Sequence, residues 1–222
     1  MYNNPRFAVE LSGCGRADGS EIHESVTALL NIDNNGCEYQ CFAPNINQAN
    51  VVNNITLEKM PETRNVLVES GRIARGEIKD ISLLDLDDFD CILLPGGLGA
   101  ITNWCDFQNK GIDCNVENSI SKILELAYIK EKVIGAMCIA PVVLAKVLGR
   151  HGITITIGND EKVAKAIEKM GAHHQNTNVE DACVDRENKV VTTSAYMLAK
   201  SIKEVDLGAN SLVKEMIKLA KN

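Results

Sequence analysis

Residues 132–148 read Lys132-Val133-Ile134-Gly135-Ala136-Met137-Cys138-Ile139-Ala140-Pro141-Val142-Val143-Leu144-Ala145-Lys146-Val147-Leu148. The apolar run from Lys132 to Met137 suits a strand buried on both faces of a parallel sheet. Pro141 to Leu148 suits a helix with proline in its first turn, where a missing N–H is harmless. Only Cys138, Ile139 and Ala140 separate the two, so the strand turns abruptly into the helix at a cysteine.

Outward from this stretch the same alternation recurs. Towards the N-terminus, Cys91 to Leu94 is a second buried strand, ending in Pro95-Gly96-Gly97. Arg6 to Ser12 reads as a strand stopping at Gly13-Cys14-Gly15, and Ser20 to Asn35 as a helix with Ser20 as N-cap and Gly36 at its end. Cys37 to Ala43 is a strand, Asn45 to Glu62 a polar, Asn-rich loop, and Asn65 to Gly76 a helix. Towards the C-terminus, Val116 to Ile129 has helical spacing and precedes the quoted strand. After it come a strand over Ile153 to Ile157, a helix capped by Asn159 or Asp160, a surface loop holding His173-His174, a strand over Val190 to Thr193, and one or two helices between Tyr196 and Lys221. Regular alternation of this kind predicts an α/β fold with a mostly parallel sheet covered on both faces.

Composition narrows the function classes. The 222 residues are 45% hydrophobic and 24% charged, which suits one folded domain rather than a disordered chain. Net charge is −7, with no basic patch interleaved with aromatics, so a nucleic-acid backbone is not an expected partner. The longest apolar run, Val133 to Ala145, is too short to span a bilayer, and no membrane association is expected. Met1 to Arg6 lacks a basic segment leading into an apolar stretch, so the expected location is the cytoplasm. None of the eight cysteines forms a Cys-x-x-Cys pair; in a reducing compartment most are expected to be small core hydrophobes.

Ligands of such sheets bind beyond the carboxyl ends of the strands. Three loops leave those ends: Ser12 to Glu21, Leu94 to Gly99, and Gly135 to Pro141. Cys138 sits where a nucleophile would be exposed, with a helix N-terminus to lower its thiol pKa; the plain alternative is an inert core cysteine. Gly96 and Gly97, lacking Cβ atoms, allow backbone N–H groups to approach a substrate oxygen, or simply form a tight turn. Glu21 could lean over the sheet edge towards Cys138, or serve only as a first-turn acid; Glu24 and Asp18 rival it. No histidine follows Cys138, none of His23, His151, His173 and His174 is placed as its base, and no metal cluster is spaced for ligation. Cys14 is a candidate second thiol near the site.

Together Leu94-Pro95-Gly96-Gly97, Ala136-Met137-Cys138-Ile139-Ala140-Pro141 and Glu21 resemble the DJ-one/PfpI superfamily, of class I amidotransferase-like fold. Within it the chain is most similar to the isoprenoid-biosynthesis branch, also called enhancing-lycopene-biosynthesis or sigma cross-reacting proteins. That likeness extends through Ser12-Gly13-Cys14-Gly15, Asp18 to Glu24, Tyr39 to Pro44, Arg64 to Ser70, Ile157 to Asp160 and Lys189 to Thr193. The resemblance implies a single-domain, flavodoxin-like three-layer sandwich over residues 1–222, with residues 45–80 as a family-specific insertion and a cysteine at a nucleophile elbow. It also implies a cofactor-free glyoxalase-type activity, converting glyoxal or methylglyoxal to a 2-hydroxy acid, with a protein deglycase activity as a related expression.

In that scheme Cys138 is the nucleophile and Glu21 the acid/base, while Gly96, Gly97 and Ile139 bind the oxyanion and Cys14 and His23 are accessory. No cofactor is expected, the substrate is a small 2-oxoaldehyde, and the family tends to be homodimeric. Many members carry a histidine after the nucleophile; here Ile139 follows, which weakens proteolytic and glutaminase readings. The alternative is a non-catalytic, redox-responsive regulator linked to isoprenoid metabolism, its cysteine oxidised under stress.

Overall fold

The computed structural model describes residues 4–221; Met1 to Asn3, part of the N-terminal stretch read for a leader, lie outside the described residues. The first half of the chain forms β1 (Phe7–Glu10), α1 (Ile22–Asn34), β2 (Tyr39–Ala43), α2 (Val66–Ile73), β3 (Ile78–Asp80), β4 (Cys91–Leu94), α3 (Gly99–Thr102) and α4 (Phe107–Lys110). The second half forms α5 (Asn118–Ile129), β5 (Val133–Met137), α6 (Pro141–Leu148), β6 (Thr154–Ile155), α7 (Glu161–Lys169), β7 (His173–His174), β8 (Ala182–Asp185), β9 (Val190–Thr193) and α8 (Ile202–Ala220).

Seven strands make one sheet in the order β3-β2-β1-β4-β5-β9-β8. Every pairing is parallel except β8 with β9. Without the edge strands β3 and β8, the order counted along the chain is 2-1-3-4-5, that of the flavodoxin-like α/β fold. The chain reverses direction across the sheet between β1 and β4, and right-handed crossovers therefore put α1 on one face and α5 on the other. On the first face α1 packs against α8; on the second α5 packs against α6.

The central strands owe their positions to composition. All residues of β1, β4, β5 and β9 are buried, as expected for strands covered on both faces. Gly135 in β5 is needed where α8 crosses: a Cβ there would lie 2.3 Å from the Met216 sulfur.

Several expectations from sequence change. Ile153 to Ile157 contributes only β6, which pairs with β7 in a separate two-stranded sheet. His173-His174 is therefore strand β7, not a surface loop. β3 and β8 were not predicted; both are short edge strands with partly exposed residues, too brief to carry a periodicity. The polar 45–62 segment has no helix or strand, but its backbone is pinned to the loop after β1. Val52 N–H and the Asn54 amide both donate to the Asp18 carboxylate. Among the described residues no helix is long and apolar enough to cross a membrane.

Candidate active site

Three loops converge at the carboxyl ends of β1, β4 and β5, on the switch point of the sheet. Backbone hydrogen bonds clamp the first two together: Glu21 N–H donates to Gly96 O at 2.9 Å, Leu98 N–H to Arg16 O at 2.8 Å, and Gly99 N–H to Gly19 O at 3.0 Å. This approach requires glycine. At Gly97, which has φ +100°, a Cβ would sit 2.3 Å from Gly19 O and 2.4 Å from Glu21 N. Ser20 is not the helix cap; its hydroxyl accepts the Ser12 N–H at 2.8 Å and ties the two ends of the loop together.

Cys138 lies between β5 and α6 with φ +60°, in the left-handed region that a non-glycine residue rarely occupies. Its N–H donates to Thr193 O at 2.9 Å, anchoring the turn to the end of β9. Cys138 is buried, the residue being 8% exposed. The backbone N–H groups of Gly97 and Ile139 both point to the sulfur. These are the donors that sequence reasoning placed there, and the third neighbour is a carboxyl group.

That carboxyl belongs to Glu24, a correction to the expected Glu21. Glu21 is the N-cap of α1, its Oε2 accepting Glu24 N–H at 2.8 Å, so its side chain is turned back onto its own helix. Glu24, three residues on, projects to the sheet end and is hydrogen-bonded with Cys138. Its Oε2 accepts Gly96 N–H at 3.0 Å and its Oε1 accepts Tyr196 N–H at 3.2 Å. Gly96 closes the arrangement from above. A Cβ there would lie 2.5 Å from both Cys138 Cβ and Glu24 Oε2.

The electrostatics also differ from the expectation of an ionised thiol. Burial pushes the Glu24 carboxyl up to about 8, with the Glu21 charge adding to the rise. Burial likewise pushes the Cys138 thiol well up; the neighbouring Glu24 charge raises it further, and the Gly97 and Ile139 N–H groups oppose the rise. The helix N-terminus thus moderates a desolvation effect that it does not overcome. Near neutral pH the pair holds both protons, and it loses the first around pH 8.

The remaining candidates lie apart. Cys14 is half-buried, with its thiol raised by burial; its charged neighbours are Glu69, Arg72 and Asp18, not Cys138 or Glu24. His23 is exposed, its Nδ1 2.7 Å from the Tyr196 hydroxyl. His151 stacks on Tyr128, and His174 Nε2 accepts Ile157 N–H at 3.3 Å. Among the described residues no group of three His, Cys, Asp or Glu side chains is placed to hold a metal ion. Sequence reasoning missed the Tyr196 N–H, delivered by a turn after β9 in which Ala195 has φ +40°.

No protein-family model matches the chain. It is 38% identical over 224 residues to human glutamine amidotransferase-like class 1 domain-containing protein 3, mitochondrial, covering 96% of this chain and 83% of that protein. It is equally 38% identical to the ES1 protein homolog, mitochondrial, of Rattus norvegicus, over 96% of this chain and 84% of that one. The crystal structure of an isoprenoid biosynthesis protein with amidotransferase-like domain from Ehrlichia chaffeensis superposes with a TM-score of 0.90 at 35% identity, covering 96% of this chain and 99% of that one. At 17% identity, a DJ-1 superfamily protein from Agrobacterium tumefaciens shares the fold alone, with a TM-score of 0.57. The mitochondrial naming of the human and rat relatives overturns the expectation of a cytoplasmic protein, which rested on the character of six N-terminal residues.

Proposed function

The chain belongs to the family of glutamine amidotransferase-like class 1 domain-containing and ES1 proteins, and from that premise we propose that it is a cofactor-independent glyoxalase-type enzyme of the DJ-1/PfpI superfamily. The observation that carries this reading is the contact of one nucleophile with one proton carrier: Cys138 at a left-handed turn, hydrogen-bonded to the buried Glu24 carboxyl. The substrate class is a small 2-oxoaldehyde, glyoxal or methylglyoxal, and the burial of Cys138 favours such a molecule over a bulky one.

Residues 138 and 24 suffice for the chemistry. Ionised Glu24 takes the thiol proton as Cys138 Sγ bonds to the aldehyde carbon and passes it to the oxygen formed there, giving a hemithioacetal and regaining its charge. The oxygen that gains charge in this step falls within reach of the Gly97 and Ile139 N–H groups. Glu24 then removes the proton from the sulfur-bearing carbon and returns it to the adjacent carbon through an enediol, leaving a thioester of the hydroxy acid. Water cleaves the thioester, releasing glycolate or lactate and restoring the thiol. Sulfur ends as it began, and one substrate carbon is oxidised to the carboxyl level as its neighbour is reduced to the alcohol level, so no external oxidant or reductant enters. Gly96 has a positioning role, holding one Glu24 oxygen through its N–H.

A homodimer is part of the same proposal. Ile22, Val26 and Leu30 are exposed at i, i+4 and i+8 on α1 and form an apolar stripe beside the site. Sedimentation at micromolar concentration, with Val26→Lys as the weakened variant, tests it.

Catalysis is tested by following glyoxal by NMR with purified protein and no added glutathione or metal. Glycolate should accumulate in proportion to enzyme, and Cys138→Ala should reduce it to the buffer rate. Equal product from the variant would remove Cys138 from the reaction.

A further inference from the structure

A second pair of sulfurs lies outside this site. Cys105 follows α3, and Cys114 ends the turn after α4; the Cys105 thiol donates to Ala100 O at 3.5 Å, and the two thiols are near enough to influence each other's ionisation. The flanking backbone runs as a short antiparallel ladder. Cys105 bridges Val116, Glu117 N–H donates to Trp104 O at 2.7 Å, and Asp106 N–H donates to Asn115 O at 3.2 Å. The Asp106 carboxylate also accepts Asn115 N–H at 2.6 Å. Residues 104–106 and 115–117 are thus held side by side, and the chain between them is a loop with two thiols at its base.

Both sulfurs are well covered, Cys105 being 4% and Cys114 1% exposed. The cover is nevertheless thin. Neither α4 nor the turn at 111–113 buries a residue of its own, which marks the segment for local opening. Cys114 forms part of the wall of a cavity of about 470 Å³, together with Asn118, Lys146 and Arg150. The Lys146 ammonium donates to Ile112 O at 2.8 Å, and its charge favours a Cys114 thiolate. Burial pushes the Cys105 thiol up to about 12, whereas the rise at Cys114 is smaller, so Cys114 ionises first.

We propose that Cys105 and Cys114 are a reversible dithiol–disulfide pair that locks the 105–114 loop when a small hydroperoxide reaches it. The Cys114 thiolate attacks one oxygen of hydrogen peroxide; the O–O bond breaks, hydroxide leaves and is protonated to water, and Cys114 becomes a sulfenic acid. Cys105 loses its proton and attacks the Cys114 sulfur, the S–O bond breaks, and the departing hydroxide takes that proton to form a second water. Two thiols have lost two electrons and two protons to one peroxide. A thiol reductant reverses the step by exchange. The pair is independent of the glyoxalase proposal, since neither sulfur touches Cys138 or Glu24.

The full chain, treated with a slight excess of hydrogen peroxide, is quenched in acid, blocked with N-ethylmaleimide in denaturant and digested with trypsin. Cleavage at Lys79, Lys110 and Lys122 puts the two cysteines on different peptides, 80–110 and 111–122. The expected result is these peptides joined, with fragmentation placing the bond at Cys105 rather than Cys91, and their separation by dithiothreitol. In Cys105→Ser the joined species should disappear, and Cys114 should instead become trappable by dimedone. The proposal is overturned if Cys138 oxidises fully while Cys105 and Cys114 are recovered alkylated, or if the bond runs to Cys91.

Discussion

Glu10 in β1 and Glu24 in α1 are the same kind of residue in the same protonation state, and they are useful to compare. Both are fully buried, and burial pushes both carboxyls up to about 8. Around Glu24 the chain converges: two backbone N–H groups, a left-handed cysteine and a glycine whose missing Cβ leaves room for both. Among the described residues nothing converges around Glu10, and neither of its oxygens has a hydrogen-bond partner there. A raised carboxyl pKa alone therefore does not mark a site in this molecule. What distinguishes Glu24 is that its carboxyl faces a thiol whose proton it can take.

The largest effect expected from this contrast is on turnover. Glu24→Gln should cut glyoxal conversion by about 10²–10⁴-fold, the usual contribution of a positioned proton carrier. Glu10→Gln should leave conversion within about threefold, because an uncharged group of the same shape replaces one already uncharged. A comparable loss from Glu10→Gln would erase the distinction.

The burial of Glu10 shows instead in the pH dependence of stability. In the fold Glu10 holds its proton up to about pH 8, against 4.5 for an ordinary carboxyl. The stabilisation this confers is complete below the unfolded value, declines as pH rises, and is gone above about 8. Its full span is about 5 kcal/mol. Glu10→Met removes the titrating group, so the variant should lose much less stability between pH 5 and pH 9 than the parent. It should also be more stable by roughly 1–3 kcal/mol at pH 7, where a buried carboxyl without a partner is replaced by an apolar chain. Chemical denaturation at three pH values checks both statements.

Gly96→Ala should affect both properties at once. The added methyl collides with Cys138 Cβ and Glu24 Oε2, and relief of such overpacking costs about 1–3 kcal/mol. Because the collision is shared by the two reacting groups, turnover should fall by more than the stability loss alone would explain. Glu21→Ala is the mildest case. Losing the N-cap should cost about 1 kcal/mol, with turnover within about threefold. Since the Glu21 charge helps raise Glu24, its removal should move the activity midpoint to lower pH.

Much of this arrangement was legible in the sequence. Apolar runs closed by glycine, proline or cysteine gave β4, β5 and the turn at Cys138, because strands buried on both faces leave a continuous signature. The glycines after β4 pointed to backbone donors there, while the pairing of Gly97 with Ile139 came from the family resemblance. The error at Glu21 came from taking Ser20 as the cap. With Glu21 at that position its carboxylate is occupied by the Glu24 N–H, and Glu24 heads the inward row Glu24–Ala28–Ile32, all buried. That row was available as a signal, and Glu24 stood as a rival to Glu21, but the exposed Ile22, Val26 and Leu30 give the same helix a second apolar stripe. The ionisation state was less legible. Spacing shows that a helix begins beside the sulfur, but desolvation depends on atoms brought in from Gly96, Tyr196 and α1, far apart in the chain.

The partnership of Glu24 with Cys138 is tested most directly by the pH dependence of kcat/KM for glyoxal, with the buffer reaction subtracted, in the parent chain and in Glu24→Gln. In the parent the value should rise through a single ionisation near pH 8 and then level. In the variant it should be at least about a hundredfold lower, with that ionisation absent. An unchanged midpoint in the variant would contradict the assignment of Glu24 as the group that carries the proton.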